Sequence, residues 1–330
     1  MSIAPHFLVD VPGVLSLIQD SGRFGQTHLG LTQGGPADKY SFNWCHKLLG
    51  NDSRCAAIEI VVGGLVLISQ CHTVGCVTGA ATSVCVNGKS LGMWCTFLIN
   101  VGDVIEFGFA TKGLRSYFAI KGGFDIKPAF GSCSTVVREN VGGLTGAPLT
   151  QGDKLPAFPI DELDGGLLSK RDLCAMESKA IPSFESSIIL RVILGYQHTW
   201  FSDLDLCRFF NSRYEVGKQF DRMGYRLQGP KLSANKSAML SEGIALGAIQ
   251  IPADGQPIVL LHDRQTIGGY PKIGSVLSVD LDKLSQCKQG DSIYFKPISI
   301  EKAHNILHLE QFRQAHITIE KRPVNNETHP

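Results

Sequence analysis

The sequence predicts a mainly β protein made of two β domains, each a barrel or sandwich, with few short helices. Three observations carry this. Short β-branched and aromatic runs recur with turn signals between them. The composition is lean in charge, 18%, and rich in glycine, with 36 of 330 residues, which favours turns over salt-bridged helices. The two halves also echo one another. V-G-D-V-I-E-F at 101–107 matches Q-G-D-S-I-Y-F at 289–295, Glu59 and Glu242 each precede a Gly-containing run, and Arg23 in S-G-R-F-G pairs loosely with Arg222 in D-R-M-G. Their roughly constant offsets predict a duplication.

In chain order, the first half offers the runs FLVDV, AIEIVVGGLVLIS, TVGCVTG, SVCVNGKSL, DVIEFGF and RSYFAIKGGFDI. Asn87-Gly88 lies between alternating segments and predicts a type I′ hairpin, because both central residues need positive φ. The same stretch, N-G-K-S, mimics the end of a phosphate-binding loop. Position 83 is Ser where that motif needs its first Gly, and the context is a hairpin, so the nucleotide reading is rejected.

A helix is predicted from Pro36 to Leu49, with Gly50 as its stop, and Ser202 is placed to cap D-L-D-L-C-R-F-F. Shorter helices are expected at Leu281–Cys287 and Glu301–Ala315. His304 and His308 stand four apart on the last one, without a carboxylate-rich motif, and read as a solvated face. From Pro156 to Ser187 the strands stop and Pro, Ser and alternating charges mix, the pattern of a linker. The expected division is 1–155 for the first domain, 156–187 for the linker and 188–330 for the second domain with its C-terminal helix. β-type runs resume at SIILRVILG and continue through RYEVGKQ, GYRLQG, IALGAIQIP, PIVLLHDRQT, VLSVDL and SIYFKPI.

Composition excludes several functions. A 43% hydrophobic fraction excludes disorder, and 31 basic against 30 acidic residues, net +1, provide no overall field for nucleic acid or an anionic membrane. The longest nearly uninterrupted apolar run, 60–68, is about half of what a bilayer needs. The opening M-S-I-A-P-H-F-L-V-D-V-P-G lacks a basic n-region and so does not read as a secretory leader. Ten dispersed cysteines without a C-x-x-C pair predict reduced thiols in a cytoplasmic protein, mostly small buried hydrophobes and none catalytic. Cys71 stands beside His72, and strand alternation sends their side chains to opposite faces.

Candidate chemistry gathers in Gly-rich loops, where backbone amides can approach a ligand. Arg23 offers a planar fork for carboxylate or phosphate, and Asp38 falls in the first turn of the predicted helix. The alternative for this pair is a surface Arg and a capping Asp. The second half is denser: Arg222, Glu242, Gln250, Asp254 and Gln256, then His262, Asp263, Arg264, Gln265, Thr266, Tyr270 and Lys272 within eleven residues. Asp254, in A-D-G-Q-P, equally suits a turn organiser. Arg264 is either a ligand-binding cation or the partner of Asp263, Asp254 or Glu242. No serine-hydrolase elbow, dinucleotide fingerprint or zinc motif occurs.

D-S-G-R-F-G with G-G-P-A-D, R-S-Y-F-A-I-K-G-G-F-D, G-S-C-S-T, S-E-G-x-x-x-G-A-I-Q-I-P-x-D-G-Q-P-I and D-R-Q-T-x-G-G-Y-P-K-I occur in order from about residue 9 to 297. Together they resemble the KipA family, the C subunit of bacterial ATP-dependent 5-oxoprolinase. That family is similar to the carboxyltransferase region of biotin-dependent urea carboxylase and to the second subunit of allophanate hydrolase. The resemblance implies cyclophilin-like β-barrel domains. It also implies opening of the 5-oxo-L-proline lactam to L-glutamate, coupled to ATP hydrolysis, in a complex with a LamB/YcsF-like A subunit and a KipI-like B subunit. ATP, with Mg, belongs to the complex, and this chain alone is expected to be inactive.

Under that resemblance Arg264, Arg222 and Lys272 suit charge stabilisation. Glu242 suits water positioning or proton acceptance, and Gln250, Gln256, Gln265 and Thr266 suit orientation of a lactam or carboxylate. Asp254, Tyr270, Arg23 and Asp38 complete the candidate substrate contacts. Two other functions stay open: a biotin-dependent carboxyltransferase acting on urea or a similar small amide, and a non-enzymatic regulator binding a KipI-like partner. The chain carries no A-M-K-M biotinyl-lysine motif, so carboxylation would need separate chains.

Overall fold

The computed structural model describes residues 4–158, 173–235 and 239–321. It is mainly β, as the sequence predicts, and its contacts divide into two compact units. The units do not follow the sequential division at 155 and 188. Residues 23–38 leave the first unit and pack within the second, and the chain rejoins the first unit from His316 onward.

The first unit begins with β1 (His6–Pro12), β2 (Leu15–Gln19), α1 (Lys39–Leu49), β3 (Ala57–Val61), β4 (Leu65–Ser69) and β5 (Thr73–Ala81). It continues with β6 (Val84–Val86), β7 (Lys89–Leu91), β8 (Cys95–Ile99), β9 (Val104–Phe107), β10 (Lys112–Ile120), β11 (Lys154–Pro156) and β12 (Cys174–Met176). One sheet has the order β11-β1-β4-β9-β6-β7, and a second runs β2-β3-β10-β5-β8-β12. Strand alternation sends Phe7, Ile58, Ile60, Leu67, Ile105 and Phe118 into one core. There Phe7 meets Phe118 and Phe124 edge-on, at centroid distances of 6.1 and 5.8 Å. Asn87 and Gly88 turn between β6 and β7 with φ of 50° and 74°, the two positive values that a type I′ hairpin requires.

The second unit holds β13 (Ser187–Leu194), a 3₁₀ turn at Tyr196–Trp200, α2 (Asp203–Asn211), β14 (Arg213–Phe220), β15 (Gly224–Gln228), β16 (Glu242–Gly243) and β17 (Ala248–Gln250). It then adds β18 (Ile258–Leu260), β19 (Ile267–Gly268), β20 (Lys272–Val276), α3 (Ser278–Ser285), β21 (Ser292–Pro297) and α4 (Ile300–His316). Seven strands, β13-β20-β17-β18-β15-β14-β21, close into a barrel, while β16 and β19 form a separate two-stranded ribbon. Closure removes the sheet edges and is completed by the parallel pairing of β13 with β21. Ser202 caps α2 by accepting the Asp205 N–H, as its sequence position predicts. Phe209 of α2 stacks on Phe295 of β21 at 4.3 Å and seats that helix on the barrel.

The second unit closes into a seven-stranded barrel and the first is built from two sheets, both within the barrel-or-sandwich expectation. Several sequence expectations are corrected. The first helix begins at Lys39 rather than Pro36, and the predicted Leu281–Cys287 helix lies at Ser278–Ser285. Strands do not stop throughout 156–187: β12 pairs with β8 and with β22 (Ile319–Lys321), which adds a seventh strand to the second sheet. Three residues with no alternation of their own take strand form there because neighbouring strands supply the ladder. Residues 159–172 of the predicted linker lie outside the described residues. Cys85 is half-buried and Cys207 exposed, so not every cysteine is a core residue. Cys71 is buried and His72 exposed, on opposite sides as expected, and His304 and His308 are exposed on α4. Among the described residues no helix is long and apolar enough to cross a membrane.

Candidate active site

Within the second unit, the excursion 23–38 and the loops around the β16–β19 ribbon enclose a cleft of about 220 Å³. The excursion contributes Thr27, Thr32 and Gln33, and the ribbon side contributes Gly243, Ile244, Arg264, Gln265 and Thr266. Backbone bonds fix both walls. Arg23 N–H donates to the Gln33 carbonyl at 2.6 Å, and Ile244 N–H donates to the Thr266 carbonyl at 3.0 Å.

Arg264 is the cation of this cleft. Its Nε donates to the Ile244 carbonyl at 3.0 Å and Nη1 to the Leu261 carbonyl at 3.2 Å. Neutral carbonyls therefore orient the guanidinium, and no carboxylate lies within salt-bridge distance of it among the described residues. Burial lowers its pKa from the usual value, with Asp263 opposing at a distance. A half-buried cation held by carbonyls alone favours a bound anion or a polarised oxygen.

The pairing alternatives for Arg264 are thereby answered. Asp263 is bound by Arg222, whose Nε and Nη2 donate to its two oxygens at 2.8 and 3.0 Å, both residues being buried. Arg222 Nη2 also donates to the Gly35 carbonyl at 2.6 Å. Arg222 thus ties the 23–38 excursion to the barrel rather than lining the cleft. Asp254 is paired with Arg226, and its Oδ1 accepts the Gln256 N–H at 3.2 Å, which makes it the turn organiser that A-D-G-Q-P suggested. Gln256 clamps Gly229, accepting its N–H at 2.8 Å and donating to its carbonyl at 3.0 Å. Asp38 accepts from Gln286 Nε2 at 2.7 Å, and both Asp38 and Arg23 are buried. Tyr270 is exposed, and only Gln265 and Thr266 join Arg264 at the cleft.

A second polar group sits beside the ribbon. Glu242 accepts hydrogen bonds from the Tyr196 hydroxyl and from Gln197 Nε2, the latter at 2.9 Å, and pairs with Lys272 Nζ at 2.5 Å. Lys272 first, then the Tyr196 hydroxyl, hold the Glu242 carboxyl below its ordinary range, although water reaches its side chain. Gln197 is fully buried. Its Nε2 also donates to the Tyr196 oxygen at 2.8 Å, while its Oε1 accepts the Lys272 N–H at 2.7 Å. Gln250 lies in register with Lys272 across β17 and β20.

Sequence reasoning therefore finds Arg264, Gln265 and Thr266 at the cleft and Glu242, Lys272 and Gln250 beside it. It misses Thr27, Thr32, Gln33, Tyr196 and Gln197. Thr32 and Gln33 directly precede the G-G-P-A-D motif, which was a usable signal, whereas Y-Q-H-T at 196–199 carries none. Two of the motifs prove structural in the first unit. Asp20 of D-S-G accepts from the Ser132 and Ser134 hydroxyls and the Cys133 N–H of G-S-C-S-T, each at 2.6 Å.

Comparison with known proteins adds four relationships. The family described as carboxyltransferase domain, subdomain A and B, matches residues 29–297. The chain is 33% identical over 319 residues to the 5-oxoprolinase C subunit of Haemophilus influenzae, covering 93% of this chain and 98% of that one. It is 32% identical over 292 residues to the 5-oxoprolinase C subunit of Escherichia coli, covering 88% and 91%. The fold is similar to the urea carboxylase of Kluyveromyces lactis, with a TM-score of 0.87 and 29% identity over 94% of this chain. The chain spans 29% of that enzyme's length and nearly all of the bacterial relatives'.

Proposed function

This chain belongs to the carboxyltransferase domain family, subdomains A and B, and on that footing we propose that it is the C subunit of an ATP-dependent 5-oxoprolinase. The reaction opens the lactam of 5-oxo-L-proline to L-glutamate, in a complex with a LamB/YcsF-like A subunit and a KipI-like B subunit. The observation that carries the reading is the Arg264 cleft, small, lined by neutral hydrogen-bonding side chains and holding one cation oriented by backbone carbonyls.

A lactam resists water because amide resonance strengthens its C–N bond, and ATP supplies the driving force. The cleft does not fit a nucleoside triphosphate, since its lining offers one cation against several negative charges. We therefore assign ATP and Mg to another subunit, which leaves this chain inactive alone. On this chain Arg264 receives a carboxylate or a developing oxyanion, Gln33, Gln265 and Thr266 orient the small ring, and Glu242 handles a proton.

The test is glutamate formation from 5-oxoproline by this chain with its A and B subunits, with and without ATP. ATP-dependent glutamate from the three together supports the reading, and full turnover by this chain alone overturns the need for partners. The fold likeness to urea carboxylase favours one alternative, a biotin-dependent carboxyltransfer to a small amide. Carboxylation of urea on supplying biotinylated carrier and bicarbonate, without glutamate formation, would establish it. Partner binding with neither activity would establish a regulator.

A further inference from the structure

The group beside the ribbon contains two buried nitrogen donors whose needs the protein does not meet. Gln250 is 6% exposed, and its Nε2 has no hydrogen-bond acceptor among the described residues. A buried amide donor left unpaired costs more than a hydrogen bond contributes, so such an atom points to a missing acceptor. Lys272 Nζ is likewise shut from solvent and, among the described residues, has only the charge of Glu242 against it, with three N–H donors to place. Residues paired across an antiparallel ladder project to one face, so the Gln250 and Lys272 side chains share a side of the barrel wall.

The third wall is glycine for a steric reason. A Cβ on Gly268 would stand 2.9 Å from Gln250 Nε2 and 2.6 Å from Ile244 Cδ1. Gly268 pairs with Glu242 in the ribbon, so the amide, the ammonium and the carboxylate surround a place where the chain withholds a side chain. Gly268 of G-G-Y-P-K thus lets the Gln250 amide lie close against the ribbon backbone.

Charge selects the ligand. Lys272 is already neutralised by Glu242, so a carboxylate arriving here would meet an acidic neighbour and no uncompensated cation. We propose that Gln250 and Lys272 form a subsite for a neutral carbonyl oxygen, that of a lactam or a small amide, with Gln197 and Tyr196 as positioning residues that hold Glu242 and Lys272 in place. It rests on the proposed lactam chemistry for its biological substrate, but not for its test. It separates two tasks: Arg264 takes an anion, and the Gln250–Lys272 pair takes an uncharged acceptor.

The test uses 2-pyrrolidinone, a lactam without a carboxylate, and ligand-observed NMR on the full chain. Gln250→Leu removes the donor at similar volume, and Gln250→Glu keeps the length while reversing donor to acceptor. Both are expected to weaken 2-pyrrolidinone binding at least about tenfold, with the melting temperature unchanged or raised because no protein partner is lost. The proposal is overturned if wild-type chain does not bind 2-pyrrolidinone, if Gln250→Glu binds as wild type does, or if Gln250→Leu melts more than about 5 °C lower, which would make the amide structural. Since this readout needs neither ATP nor partner subunits, its outcome is separate from that of the glutamate assay.

Discussion

The two units share a turn and differ in how they treat a glutamate. In the first unit Asp103 accepts the Asn100 N–H and Asp153 accepts the Thr150 N–H, each at 2.7 Å, and in the second Asp291 accepts the Lys288 N–H at 2.7 Å. The glycines before these aspartates have φ of 86°, 89° and 89°. Each aspartate carbonyl then receives an N–H from the neighbouring strand at 2.9 Å, from Ser69, Val9 and Val216 respectively. The V-G-D and Q-G-D echo is thus a real structural repeat, and it occurs a third time in T-Q-G-D. Glu59 and Glu242, the other echo, share no such setting. Glu59 is sealed in the middle of a sheet with Arg115 and Tyr117, accepting the Tyr117 hydroxyl at 2.7 Å. Glu242 stands on a two-residue strand that water reaches. A turn is made by four neighbouring residues and recurs wherever they do, whereas the role of a carboxylate depends on what folds over it.

The greatest contrast between the two glutamates is expected from Glu59→Gln, which breaks the buried ion pair with Arg115 and should cost about 3–5 kcal/mol in chemical denaturation. Glu242→Gln, at a side chain that water reaches, should cost less than Glu59→Gln while reducing turnover of the assembled enzyme. Equal losses of stability would remove the distinction between a sealed and a working glutamate.

The first unit should also carry the acid sensitivity of the fold. His46 is buried on α1, and burial pushes its pKa down to about 4, with Asp52 opposing. The unfolded chain takes up this proton near the ordinary value of about 6.5 and the folded chain only near 4. Its contribution is therefore intact above about pH 6.5, falls as pH drops and levels off below 4, a loss of about 3 kcal/mol over that window. His46→Phe should flatten that part of the stability profile, and an unchanged slope between pH 6.5 and 4 would refute the assignment.

Arg264→Ala probes the working side of the same contrast. Turnover of the complex should fall roughly a hundredfold, the value of a charge-assisted bond to a developing anion, while the melting temperature stays near that of wild type because neutral carbonyls are its only protein partners among the described residues. Arg264→Lys should rescue poorly, since an ammonium cannot bridge the Ile244 and Leu261 carbonyls and a ligand in one plane. Early melting with lost partner binding would show a structural role instead. The smallest effect belongs to the shared turn. Asp103→Ala, Asp153→Ala and Asp291→Ala should each cost about 1 kcal/mol, and markedly unequal values would show that similar geometry hides different energetics.

Features of short range are legible along the chain. Strand alternation, the Asn87-Gly88 hairpin, the Ser202 cap and the Gly-Asp turns are set by residues within a few positions of one another, and the polar run from His262 to Lys272 includes three residues that line the cleft. Which of those groups are spent internally is settled by packing. Arg222 and Asp263 are separated by 41 positions and become a buried pair, which leaves Arg264, next to Asp263 in the chain, as the cation at the cleft. Gln197 is 45 positions from Glu242 and 75 from Lys272, and no local pattern announces it. Residues 23–38 cross into the second unit, so a division drawn along the chain assigns Thr32 and Gln33 to the wrong domain. Local backbone preference acts through bonded neighbours and can be read in order. Charge pairing and burial act through space, where every partner already taken changes what the next residue is free to do.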